Sequence, residues 1–150
     1  MTYEIALPSQ FESICWIEKH VFKTTDDGVE LLRMMLENQS CIAINAVENG
    51  KLLATWIVHC LPNCGSVVIG SLYGRFGQLK AFREAIEYTC DFAANELLAQ
   101  RVEISLDAYN SRNRALRRVY EGCGFKPKGD TLVRSLQHES KIIRRRRAET

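Results

Sequence analysis

The sequence predicts a mixed α/β (α+β) fold, in which a mainly antiparallel sheet of six to seven strands is flanked by about four helices. Three observations lead to it. Asn49-Gly50 lies between two runs rich in β-formers, the strongest short-range signal for a hairpin. Leu79, Phe82, Ile86, Cys90, Ala93 and Leu97 recur at three- and four-residue steps, the stripe of a long amphipathic helix. Over Arg101–Asp107, Val102, Ile104 and Leu106 alternate with Glu103, Ser105 and Asp107, the period of a half-buried strand.

The remaining elements follow in chain order. Tyr3–Leu7 alternates as a short strand with Tyr3, Ile5 and Leu7 on one face, and Pro8 stops it. Ser9 with Glu12 forms a capping-box pattern that starts a helix burying Phe11, Ile14, Cys15 and Ile17. Asp27 with Glu30 repeats the pattern for a second helix, with Val29, Leu32, Met35 and Leu36 inward. Cys41–Val47 and Leu52–Cys60 are the hairpin strands, and Pro62–Gly65 turns the chain into a third antiparallel strand, Ser66–Tyr73. Gly74–Gly77 breaks that strand ahead of the long helix. Arg112–Gly122 is a helix ending at Gly122 or Gly124, and Phe125–Leu136 supplies one more strand or two. Residues 1–140 read as a single domain and 141–150 as a basic polar tail.

Composition narrows the class. At 150 residues, 46% hydrophobic and 25% charged, the chain can bury one core. No apolar run reaches the ~18 residues of a membrane span, and Met1–Glu4 lacks the start of a signal peptide, so a cytoplasmic protein is expected. The six cysteines are scattered among apolar neighbours, which favours reduced thiols. His59-Cys60 with Cys64 lacks the second ligand pair of a closed metal site, so no metal is expected. The net charge of +2 hides an asymmetry. Residues 1–75 carry five Lys/Arg against eight Asp/Glu, and residues 76–150 carry fifteen against ten. A basic second half suits a phosphate-bearing ligand, a polyanion or plain solvation. Arg144–Arg147 has neither interleaved aromatics nor a nucleic-acid motif near it, so nucleic acid is not an expected partner.

The order strand, two helices, three antiparallel strands, long helix, strand, helix, final strand resembles that of the GNAT superfamily, the acyl-CoA-dependent N-acetyltransferases. Asn113, Tyr120, Glu121, Gly124 and Phe125 hold the spacing of the family's Asn, Tyr-Glu and Gly-Phe segment, although Leu116 occupies the place of its small helix residue. The resemblance implies transfer of acetyl from acetyl-CoA to an amine acceptor, a small molecule or a protein. It implies a pantetheine arm paired with strand amides and a pyrophosphate on the start of the long helix. The cofactor-binding residues would be Leu72, Tyr73, Gly74, Arg75, Gly77, Gln78, Leu79, Lys80 and Asn113. The family's Gln/Arg-x-x-Gly-x-Gly/Ala loop has no close copy here: with Gln78 in first place its small positions fall on Ala81 and Arg83, and with Arg75 first Gln78 falls where the first glycine belongs. Compact chains with such degenerate loops are similar to some phage-encoded relatives. A GNAT-fold binding or structural protein without catalysis is therefore the alternative reading, and a basic nucleic-acid accessory protein a third.

The resemblance gives Tyr120 the role of the acid that protonates the leaving thiolate, against a plain packing role under the last strand. The fourth strand has no Asp, Glu or His to serve as base. Glu103, Asp107 and His59 are substitutes by position, and Tyr73 could hold a water, each set against an ordinary solvated or turn role. The acceptor site is expected between the first two helices and Leu52–Cys60. Arg112, Arg114, Arg117 and Arg118 offer charge to a nucleotide or simply a solvated face. An oligomer is compatible with the sequence.

Overall fold

The computed structural model describes residues 1–74, 76–105 and 111–136, the side chains of 62, 71 and 111–113 excepted. Among them lie seven strands, β1 (Thr2–Ile5), β2 (Cys41–Glu48), β3 (Lys51–Leu61), β4 (Ser66–Gly74), β5 (Arg101–Ser105), β6 (Lys126–Lys128) and β7 (Thr131–Ser135). Four α-helices accompany them, α1 (Phe11–His20), α2 (Asp26–Glu37), α3 (Leu79–Asn95) and α4 (Ser111–Gly122). The strands form one sheet in the order β1-β2-β3-β4-β5-β7-β6. No helix among the described residues is long and apolar enough to cross a membrane. The chain divides into two compact units, Met1–Cys60 with Gly70–Arg75, and Leu61–Ile69 with the described part of Phe76–Thr150.

In the first unit β2 pairs antiparallel with both β1 and β3. Glu48 faces Lys51 across the predicted two-residue turn, and Asn49 and Gly50 have φ of 53° and 75°, as a type I′ hairpin requires. The register slips between Ala46 and Val47, so Leu53 is the extra residue of a bulge. That bulge constrains β4. A Cβ on Gly74 would lie 2.2 Å from the Leu53 carbonyl oxygen, and Gly74 already has φ +95°. Only glycine fits there. The core of this unit gathers Ile14, Leu32, Leu36, Cys41, Ala43 and Ile57.

Three local expectations are corrected here. Ile5 and Leu7 are exposed and Ala6 is buried, with the Ala6 N–H bonded to the Ala43 carbonyl (2.8 Å). Tyr3 keeps the predicted inward face, edge-on to Trp56, but the strand ends at Ile5, two residues early, and the alternation is lost beyond it. The Ser9/Glu12 box does not cap α1: a 3-10 turn over Pro8–Gln10 precedes it, and the Gln10 side chain accepts from the Leu7 N–H at 2.8 Å. In α2 the cap is Thr25, whose hydroxyl accepts from Gly28 N at 3.2 Å, and Asp27 lies inside the first turn.

In the second unit β4 and β5 run parallel, Ser66 opposite Arg101 through Ile69 opposite Ile104, and α3 makes the crossover that a parallel pair needs. Both β5 and β6 pair antiparallel with β7. The ladder to β5 ends at Ile69, while β4 itself runs on to Gly74. Ile86, Cys90 and Ala93 bury the predicted stripe of α3. Its two ends depart from expectation: Leu79 is exposed in the first turn, and the helix stops before Leu97. Phe125–Leu136 resolves into two strands about a turn in which Gly129 has φ +61°. Leu106, Asp107 and the tail 141–150 lie outside the described residues. Of the cysteines, Cys15, Cys41 and Cys90 are buried, Cys60 and Cys123 half-buried, and Cys64 exposed on the turn before β4.

Candidate functional site

Two concave surfaces, one in each unit, bear on the predicted chemistry. In the second unit a groove of about 590 Å³ opens at the start of α3, lined by Gly77, Gln78, Leu79, Phe82 and Arg83, and by Ala115, Leu116, Arg118 and Val119 of α4. The sequence dictates its shape. Gly77 is left-handed at φ +65°, and a Cβ there would meet nothing within 4 Å. Gln78 is the extended N-cap residue, yet its side chain makes no capping bond. The first turn of α3 thus presents uncapped N–H groups and the positive end of the helix dipole. Arg83 and Arg118 add full charges. This arrangement suits a phosphate or another anion.

Tyr120 stands behind the groove and is not part of its lining. It is 5% exposed, with its ring edge-on to Phe82 (5.8 Å) and to Phe125 (5.2 Å). Burial, reinforced by the neighbouring Cys90 and Cys123 thiols, pushes its phenol above the ordinary value. Tyr120 therefore keeps its proton at neutral pH.

The first unit holds a smaller cavity of about 150 Å³ between α1, α2 and β3, lined by Glu18, Gly28, Leu31, Leu32, Met35, Ile57 and His59. Tyr73 Oη donates to Glu18 Oε2 at 2.5 Å and Thr24 Oγ1 donates to Glu18 Oε1 at 3.2 Å. His59 Nδ1 lies 2.9 Å from Cys41 Sγ. The far side of the ring presses on β4, where a Cβ at Gly70 would come within 2.9 Å of His59 Nε2. Burial lowers the His59 pKa, and the Glu18 carboxylate partly opposes that shift. Burial pushes the Cys41 thiol up to about 12, with Cys60 adding to the effect, so it faces the imidazole protonated.

The predicted residues divide accordingly. Gly77, Gln78 and Leu79 meet in the groove, whereas Lys80 is exposed beside it and does not line it. Leu72, Tyr73 and Gly74 end β4, and the Tyr73 hydroxyl is committed to Glu18. Asn113 belongs to α4, but its side chain, like Arg75, lies outside the described residues. Among the proposed bases, His59 lines the smaller cavity, Glu103 approaches Arg101 at 3.6 Å, and Asp107 is not described. The sequence reading missed Glu18, and it met Arg83 only as a misfit to the loop pattern. Glu18 lies one residue beyond Ile17, the last inward position assigned to α1, at the border of its apolar face.

No protein-family model matches the chain, and no curated protein matches it in sequence. Solved structures do. A variant of the spermidine N-acetyltransferase SpeG from Vibrio cholerae superposes with a TM-score of 0.69 at 13% identity, covering 90% of this chain and 95% of its own. A chimera of SpeG from Vibrio cholerae with hSSAT reaches 0.71 at 14% identity, covering 92% and 98%. A probable acetyltransferase from Staphylococcus epidermidis gives 0.68 at 16% identity, covering 90% and 98%. What they have in common with this chain is architecture: its fold is that of the GNAT acetyltransferases.

Proposed function

We propose that this chain is a GNAT-type N-acetyltransferase that moves acetyl from acetyl-CoA to an amine, with residues 1–140 as its domain, 141–150 as a basic tail, and the cytoplasm as its place of action. The observation that carries the reading is the groove at the uncapped start of α3, with left-handed Gly77 at its mouth and Arg83 and Arg118 on its walls. These residues fit a pyrophosphate: free amides, a turn that permits close backbone approach, and two guanidinium groups. The departure from the family loop is compensated in kind, since Arg83 brings a charge where the pattern has a small residue.

When bound, acetyl-CoA supplies an activated acyl thioester. The chain's own residues bind, orient and move protons. Gly77, Gln78 and Leu79 would receive the phosphates in the groove, and Lys80, exposed beside it, would add charge from outside the lining. The backbone of Leu72, Tyr73, Gly74 and Arg75, with Asn113, would hold the rest of the cofactor, as the resemblance implies. Tyr120, protonated at neutral pH, would keep the proton that the departing sulfur takes. An oligomer is compatible with this reading, since SpeG from Vibrio cholerae has a dodecameric structure. Nucleic acid has no part in it.

One observation favours the second reading, a phage-type GNAT-fold binding protein without catalysis: Tyr120 is walled in by Phe82 and Phe125 and does not line the groove. Calorimetry with acetyl-CoA separates the two. Saturable one-to-one binding, weakened about tenfold by joint Arg83→Ala and Arg118→Ala substitution, supports the first. No heat of binding with the folded parent protein removes it.

A further inference from the structure

The small cavity of the first unit carries a carboxylate that has no basic partner among the described residues. Its wall includes one carboxylate, Glu18, amid Leu31, Leu32, Met35 and Ile57. Two hydroxyls, from Tyr73 and Thr24, fix the orientation of Glu18 without neutralising it. A carboxylate accepts at about four lone-pair sites, so two remain. Among the described residues no lysine or arginine pairs with Glu18: Lys19 reaches Asp26, and Arg33 reaches Glu12 and Glu30. A fixed carboxylate with two acceptor sites open, beside aliphatic side chains, suits a ligand with a cationic head and an apolar body.

We infer that this cavity takes a small aliphatic monoamine, its ammonium on Glu18 and its hydrocarbon body against Leu31, Leu32, Met35 and Ile57. The inference deepens the acetyl-transfer reading by naming the acceptor class, and it rests on that reading only for what is then done to the bound amine. Size supports it. A volume of about 150 Å³ has room for a guest of roughly the size of benzene. Charge count supports it as well: one carboxylate matches one ammonium, whereas a polyamine carries further cations that this lining does not meet. His59, the other titratable group of the lining, does not oppose a cation, because burial keeps its ring neutral near pH 7.

The test is direct binding of n-butylamine, followed by the Met35 methyl signal in carbon–proton NMR spectra, with and without coenzyme A. The expected result is a saturable shift with n-butylamine. It should weaken tenfold or more for uncharged n-butanol, and by a similar factor for Glu18→Gln, as loss of a charge-assisted bond requires. The n-butanol comparison uses the parent protein, so it holds whether or not the variant folds. A Met35 signal unmoved by n-butylamine under both conditions overturns the inference, as does equal binding of n-butanol. Spermidine binding tenfold tighter than n-butylamine overturns the monoamine assignment. Coenzyme A affinity, measured separately, keeps the two readings apart: amine binding without coenzyme A binding removes the acetyltransferase and leaves the cavity.

Discussion

The groove at α3 and the cavity beside Glu18 are built on opposite electrostatic plans. The first is open, and its positive character comes from two sources, the uncapped amides of a helix start and the guanidinium groups of Arg83 and Arg118 at the walls. The second is small, with a lining divided between polar and apolar groups, and its charge is a single side chain steadied by two hydroxyls. The difference teaches how each tolerates sequence change. Backbone amides survive nearly any substitution short of proline, so an anion site of the first kind can outlive the erosion of its motif. A site of the second kind depends on one residue.

The largest test of this contrast is Tyr120→Phe. Phenylalanine keeps the ring between Phe82 and Phe125, so folding and acetyl-CoA affinity should change little. Turnover, measured beside affinity, should fall ~10²–10⁴-fold if the phenol is a positioned general acid. Turnover within threefold of the parent would make Tyr120 a core residue and leave the groove as a binding surface only.

Two glycines with left-handed backbones sharpen the contrast at a smaller scale. Gly74→Val forces a Cβ into the Leu53 carbonyl and should cost about 3 kcal/mol or more of unfolding free energy in urea titrations. Gly77→Val meets open space, so only the left-handed backbone resists it, at ~1–2 kcal/mol, and its main effect should be weaker coenzyme A binding. Equal destabilisation by the two would mean that Gly77 serves the fold and not the groove.

The smallest effect expected is one of pH. The His59 pKa is lowered in the folded state, so the unfolded chain binds more protons as pH falls through the ordinary histidine range near ~6.5. Stability from this group is present above that range and lost below it. Because the ring is only half-buried, the slope should stay well under the ~1.4 kcal/mol per pH unit of one whole proton. Urea midpoints of the parent and of His59→Gln between pH 7.5 and 5.5, in steps of about half a unit, read the difference. Identical slopes would show that the imidazole titrates as in water.

The hairpin, the α3 stripe and the layout of strands and helices were legible in sequence, because each rests on a local pattern. Asn49-Gly50 can turn almost one way only, and seventeen residues of α3 give periodicity room to repeat. The helix starts were less legible, because Ser9 and Gln10 before α1, and Thr25 and Asp27 at α2, offer rival capping oxygens within a turn, and the backbone entering each helix decides between them. β1 was too short for alternation to fix its face. The groove was half visible, through Gly77 and Gln78. The cavity was hidden: Glu18, Met35 and His59 come from three elements, and no spacing along the chain links them.

The distribution of thiols has a practical consequence. Cys41 and Cys90 are buried and pushed up to about 12, so at neutral pH roughly one in 10⁵ carries the nucleophilic thiolate. Burial also raises Cys15, Cys60 and Cys123. Cys64 alone among the six is exposed, and its backbone carbonyl is held by Arg101. A maleimide dye or spin label added briefly in substoichiometric amount should therefore attach there first. It would sit one residue before Gly65, whose carbonyl accepts the Gln100 and Arg101 amides, at the edge of the β4–β5 ladder. The native sequence thus carries its own reporter position, with no cysteine to add or remove.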